Sequence, residues 1–335
     1  MKGTLKRLIR ILAVQSVKIL SLLLAVSILS FALVSASPVD PVQQYILGLG
    51  TAVSPQQRAQ IEDYWGVNEP PVQRYLGWLK EVLRGNLGQS SVYRRPVADM
   101  IGERFLGSLA LMLCAWVFAG VIGFGLGCVM GMYRERWPDR LLKKVCYILS
   151  SVPTFWLGLG FLLVFSVWLG WFPVGFSSPV GVLRENVTIG QKLYHLILPA
   201  FTLSLMSFAG IALHTRQKLV DVLNSEYVLF ARARGEGKGT ILLRHGLRNI
   251  LLPALTLQFS SFAELFGGSV LAENVFSYPG LGSAVSAAGV NSDVPLLLGV
   301  TLCSALFVCV GNMIANLLYG VIDPQIREGA KSGCN

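Results

Sequence analysis

The chain reads as an all-α membrane protein with six transmembrane helices and a small helical extracytoplasmic segment. Composition is the first observation behind this. Of 335 residues 53% are apolar and only 14% charged, and the mean hydropathy of +0.59 describes a chain that mostly lies in lipid. The second is a set of six apolar runs: residues 11–34, 106–132, 146–169, 193–213, 250–271 and 294–321. Each is near the roughly 20 residues that a helix needs to cross the hydrocarbon. The third is negative: the ~10-residue alternating segments of a membrane β-barrel do not occur.

In order, residues 1–36 are a basic N-terminus and the first span, and 37–104 an outer segment. Residues 105–325 hold five further spans and a polar loop at 214–249, and 326–335 form a tail. With the N-terminus in the cytoplasm, eighteen Lys and Arg fall inside and nine outside, while Lys18 lies within the first span. That bias places both termini in the cytoplasm and explains most of the +10 net charge, so nucleic acid is not expected as a partner. The first run is longer than the apolar core of a signal peptide and reads as an uncleaved anchor. All six cysteines lie within spans or on the inner side, so no structural disulfide is expected.

The outer segment predicts two helices. Ser54, Pro55 and Gln57 supply an N-cap, a first-turn proline and a capping box, with a stop near Gly66. The second helix starts at Pro70 and Pro71 and sets Val72, Tyr75, Leu76, Leu79 and Leu83 on one face before Gly85. It reads equally as a cap on the outer ends of the spans or as a docking surface. In the second span Gly123, Gly127 and Gly131 recur at four-residue spacing, which suits close helix packing within the bundle or against a second chain.

Catalytic and metal signatures are missing. Residues 235–240 fail the phosphate-loop spacing, and His195, His214 and His245 lie at different depths, so neither nucleotide binding nor a triple-His metal site follows. The stronger signal is the polar loop. Glu226-Tyr-Val-Leu-Phe-Ala-Arg-Ala-Arg-Gly235 gives about two helical turns ended by Gly235. Tyr227, Phe230 and Ala231 form a ridge at i, i+3 and i+4, suited to a cleft on a soluble partner. A second helix over 240–251 returns the chain to the membrane at Ile250-Leu-Leu-Pro253. In the fifth span Glu264 costs about 2.5–3.5 kcal/mol on insertion scales unless it faces water or a partner. Its two readings are a cavity and a helix–helix hydrogen bond. Gly267 and Gly268 loosen the helix beside it, and Glu273-Asn-Val-Phe276 leads to Pro279-Gly-Leu-Gly282.

This loop, with Ala231, Ala233, Gly235 and Pro253, resembles the signature cytoplasmic loop of ABC importer membrane subunits. Leu229-Phe230 before Ala231 and the long interval from Gly235 to Ile250 are similar to the oligopeptide/dipeptide/nickel branch. The outer pattern Gly66-Val-Asn-Glu-Pro70, Tyr75-x-x-Trp78-Leu, Gly85-Asn-Leu-Gly-Gln-Ser90 and Pro96-Val97 resembles the same branch. The resemblance implies a type I ABC importer transmembrane-domain fold in the bacterial inner membrane. It implies a homologous second permease, two ABC ATPase subunits that carry ATP and Mg, an extracytoplasmic solute-binding protein, and no cofactor on this chain. Glu226, Tyr227, Phe230, Ala231, Ala233, Gly235 and Pro253 would then be the ATPase-coupling residues. Glu264, Gly267, Gly268, Ser269, Phe276 and Pro279 would line the translocation path. Di- or oligopeptides are the expected solutes and nickel or a metal chelate the alternative. The rival of another class is a proton-coupled carrier with Glu264 as its acid.

Overall fold

A computed structural model describes residues 2–37, 42–43, 46, 53–65 and 69–322. The expected stop near Gly66 and the tail at 326–335 lie outside the described residues. Among the described residues every element is helical: α1 (Lys2–Ala36), α2 (Pro55–Trp65), α3 (Pro71–Leu83), α4 (Val97–Met132), α5 (Trp137–Ser151), α6 (Thr154–Phe161), α7 (Ile189–Leu223), α8 (Glu226–Ala233), α9 (Lys238–Ile241), α10 (Leu247–Ser260), α11 (Phe262–Val275), α12 (Leu281–Val290) and α13 (Val294–Ile322). Among the described residues four helices are long and apolar enough to cross a membrane unbroken. Two bent pairs bring the number to six if each pair is one span.

The third and fifth expected spans are therefore not single straight helices. The third breaks at Val152 and Pro153, where α5 turns by 109° into α6 and the π-helical turn Leu162–Trp168. Proline cannot donate to the preceding turn and pushes its neighbour out of helical geometry, and Val152 is extended at ψ 130. The fifth bends by 59° between α10 and α11 at Ser261.

The chain divides into two compact units. The first comprises Met1–Gly107 and Pro279–Val310. The capping box at α2 forms, with Gln57 N–H on Ser54 Oγ at 3.2 Å and Ser54 N–H on Gln57 Oε1 at 2.9 Å. In α3 only part of the expected face packs, Tyr75 and Leu79, and Trp78 joins it. Tyr75 and Trp78 meet Phe31 of α1, and the Tyr75 hydroxyl lies 2.8 Å from Ser27 Oγ, whereas Val72, Leu76 and Leu83 stay exposed. Aromatic pairing outcompetes the aliphatic stripe for the contact with α1. Val97 and Met100 of α4 pack with Leu281, Ala284 and Ala288 of α12 and with Leu296 and Val300 of α13. Buried Asp293, ahead of α13, accepts from Ser90 Oγ at 2.5 Å, Val92 N–H at 3.0 Å and Leu296 N–H at 3.2 Å.

The second unit, Ser108–Tyr278 with Gly311–Asn335, is built around α7. That helix starts in a Thr188–Gln191 capping box and buries most of its length against α5, α6, α10 and α11. The glycine row of α4 also serves this contact. A Cβ on Gly123 would sit 2.8 Å from the Phe208 carbonyl, one on Gly127 2.6 Å from Thr215 Cβ, and one on Gly131 2.7 Å from Leu219. The row packs within the chain, which decides between the two readings the sequence left open. Trp116 and Gln258 tie α4 to α10 reciprocally, each side chain donating to the other's carbonyl at 2.7 and 2.5 Å.

Candidate coupling site

The polar loop between α7 and α10 has a small core of its own. Val228 and Ala231 of α8 and Ile241 of α9 are buried together, with Val222 and Leu223 of α7 packed against them. Glu226 stands in the first turn, where a carboxylate suits the helix dipole. The helix ends in a Schellman pair: Gly235 N–H reaches the Arg232 carbonyl at 2.9 Å, and Glu236 N–H reaches Ala231 at 3.1 Å. Gly235 has φ +82, open to glycine and strained for other residues.

Ala231 is thus not on the exposed ridge. A short helix that closes a hydrophobic contact with its own return segment must bury one stripe, and the Val228–Ala231 stripe is the one buried. The outward face carries Tyr227, Leu229 and Phe230, the last 71% exposed. Ala233 and Arg234 are exposed near the Gly235 turn.

The return path holds the outward face in place. Asn249 Nδ2 donates to the Tyr227 hydroxyl at 3.2 Å, and the His245 ring lies 6.2 Å from that of Tyr227. Glu236 binds His245 Nε2 at 3.1 Å and Arg234 at 2.9 Å. Desolvation pushes the Glu236 carboxyl up, but the His245 hydrogen bond and the nearby cations outweigh it and hold it below the usual carboxylate range. The expected second helix begins earlier than 240, at Lys238, and reaches α10 through a π-helical turn at Leu242–Gly246. Pro253 lies inside α10 rather than closing the loop.

Above the loop, α7 is locked to α5. Arg216 grips Asp139 through both carboxylate oxygens, at 2.6 and 2.7 Å, with Lys143 at 3.6 Å and the Glu135 N–H at 2.9 Å. The Arg216 hydrogen bond holds the Asp139 carboxyl below its ordinary range against the opposing effect of burial. Neither residue stood out in the sequence, where both read as ordinary loop charges.

The residues expected to line the path are spread in character. Glu264 is exposed and makes no side-chain hydrogen bond among the described residues. Gly267 is exposed, whereas Gly268 is pressed against Met206 and Leu203 in an unbroken α11, a close contact rather than a loosened turn. Ser269 and Phe276 are buried, Pro279 is half-buried, and the Phe276 carbonyl accepts from Phe176 N–H at 3.0 Å. The buried acid of α11 is Glu273, fully enclosed, which accepts from Ser108 Oγ at 2.6 Å.

These features define a multi-pass, all-helical membrane protein with a compact, internally packed polar loop between two bundle helices. The family model of the binding-protein-dependent transport system inner membrane component matches residues 123–328, and the chain belongs to that family. It is 36% identical over 307 residues to the oligopeptide transport system permease protein AppB of Bacillus subtilis, covering 91% of this chain and 95% of that one. It is 35% identical over 306 residues to the glutathione transport system permease protein GsiC of Escherichia coli, covering 91% and 94%. The chain is therefore an ABC importer permease of the inner membrane rather than a proton-coupled carrier, and its relatives are transport permeases, not enzymes.

Proposed function

We propose that the chain is the permease subunit of an ATP-driven importer of di- or oligopeptides. It would pair with a homologous permease, two ATPase subunits and an extracytoplasmic solute-binding protein. An oligopeptide and a glutathione permease among its relatives support a peptide-class solute. Both termini and the 214–249 loop face the cytoplasm in this reading, supported by the Lys and Arg bias.

One observation carries the coupling role: α8 is rigidly closed on its inner side, yet it leaves Tyr227, Leu229 and Phe230 bare beside a basic surface. A bare aromatic ridge on a fixed short helix suits a groove in another protein. Force applied to α8 reaches α7 through Val222 and Leu223, the π-helical turn through His245, and α10 through Asn249. The protein side chains hold and transmit; ATP chemistry belongs to the ATPase subunits.

The test is ATP-driven peptide uptake by the reconstituted complex. Phe230→Ala with Tyr227→Ala should leave permease abundance unchanged, weaken ATPase association and reduce uptake at least tenfold. Wild-type uptake in that variant overturns the coupling assignment. Uptake that no di- or tripeptide competes with overturns the solute assignment alone.

A further inference from the structure

On α5 the chain leaves an apolar face uncovered and a set of charges unbalanced. Trp137, Leu141, Val145 and Ile148 follow one another at four- and three-residue steps, so they form a single stripe along the helix. All four are exposed, Trp137 at 75% and Ile148 at 61%. The opposite side is fully engaged: Asp139 and Cys146 are buried, and the Asp139–Arg216 pair fixes which face α5 turns outward.

The cations divide in the same way. Lys143 leans back to Asp139 and Glu135 at 3.6 and 3.9 Å. Arg136, Arg140 and Lys144 are exposed and have no carboxylate partner among the described residues. Arg140 and Lys144 are a turn apart and flank the stripe. Their long stems can lie along apolar surface while the charged ends stay at its polar edge. The 109° break at Val152 and Pro153 also stops α5 from continuing the axis of α6.

We propose that this face is a binding site for anionic phospholipid. The stripe from Trp137 to Ile148 lies among acyl chains, and Arg136, Arg140 and Lys144 take the headgroup phosphates. A protein partner would need an acidic row matched to these three cations, whereas a membrane surface supplies phosphates at that depth with no such match. Apolar stripe, flanking cations and a tryptophan at the helix start together are the pattern of a helix seated at a lipid interface. The inference stands independently of the solute and of the coupling role of α8.

The test places the whole complex in nanodiscs containing brominated phosphatidylglycerol or brominated phosphatidylcholine at equal fraction. The Trp137 signal is taken as the difference between the wild type and Trp137→Phe. Phosphatidylglycerol should quench it preferentially. Each neutralised charge should weaken the preference about fivefold, so Arg140→Gln with Lys144→Gln loses roughly 25-fold. Equal quenching by both lipids in the wild type, or an unchanged preference in the double variant, overturns the proposal. So does a Trp137 that no lipid quenches while Leu141→Cys crosslinks to a second permease, since the face is then covered by protein.

Discussion

Removing Arg216 should be among the most damaging single changes in the second unit. Asp139 is wholly buried and takes two short bonds from this guanidinium, at 2.6 and 2.7 Å. Without it the carboxylate keeps only Lys143 at 3.6 Å and the Glu135 N–H at 2.9 Å. Breaking a buried pair from one side costs about 3–5 kcal/mol, and these two remaining partners place Arg216→Gln near 3. Asp139→Asn should cost less, because Arg216 retains 12% side-chain exposure and Glu135 at 3.6 Å. A loss of that size lowers the unfolding midpoint of a unit this large by about 6–12 °C. The assay is thermal unfolding of the purified complex, scanned against pH. The folded-state pKa of Asp139 is depressed, so its stabilising contribution is present above the unfolded value and lost as pH falls through the folded one. In Arg216→Gln the largest lowering influence is gone and burial is opposed only by the Glu135 N–H and Lys143, so the carboxyl protonates more readily and the penalty should shrink as the pH falls below 7. A midpoint shift below about 2 °C at pH 7, or a penalty that grows on acidification, refutes the reasoning.

Gly127→Val should abolish folded protein, because even its Cβ would lie 2.6 Å from Thr215 Cβ and 2.7 Å from the Ala212 carbonyl; Gly125→Ala, with nothing within 4 Å, should be silent in fluorescence size exclusion. Gly235→Val imposes about 1–3 kcal/mol of strain at φ +82, and uptake should fall while the amount in the membrane holds. Glu273→Ala leaves the Ser108 hydroxyl without this acceptor and should lose about 1–3 kcal/mol, whereas Glu264→Gln at an exposed position should not change the melting midpoint.

The crossing helices were legible because lipid demands long apolar runs and little else produces them. The break of the third span was also marked in the sequence, by Pro153, but an apolar count does not register one residue that redirects a helix. Which way the short helix faces is set from outside it. The spacing of Tyr227, Phe230 and Ala231 is genuine, yet which stripe turns inward depends on Ile241, beyond the Gly235 turn. The same holds in α3, where Phe31 of another helix selected Tyr75 and Trp78 over Val72 and Leu76. Asp139 and Arg216 stand 77 positions apart, and the general excess of cations in the polar loops hid one specific pair.

Ser90 and Asp293 meet across 203 positions, and the core beside them joins the start of α4 to α12 and α13. A ribosome adds about 5–20 residues each second, so the Ser90 side of this contact waits roughly 10–40 s for its partner. During that interval the 108–278 part of the second unit can emerge and close on α7 first. The first unit is begun early and finished late, so its core closes only once α13 has begun to be made.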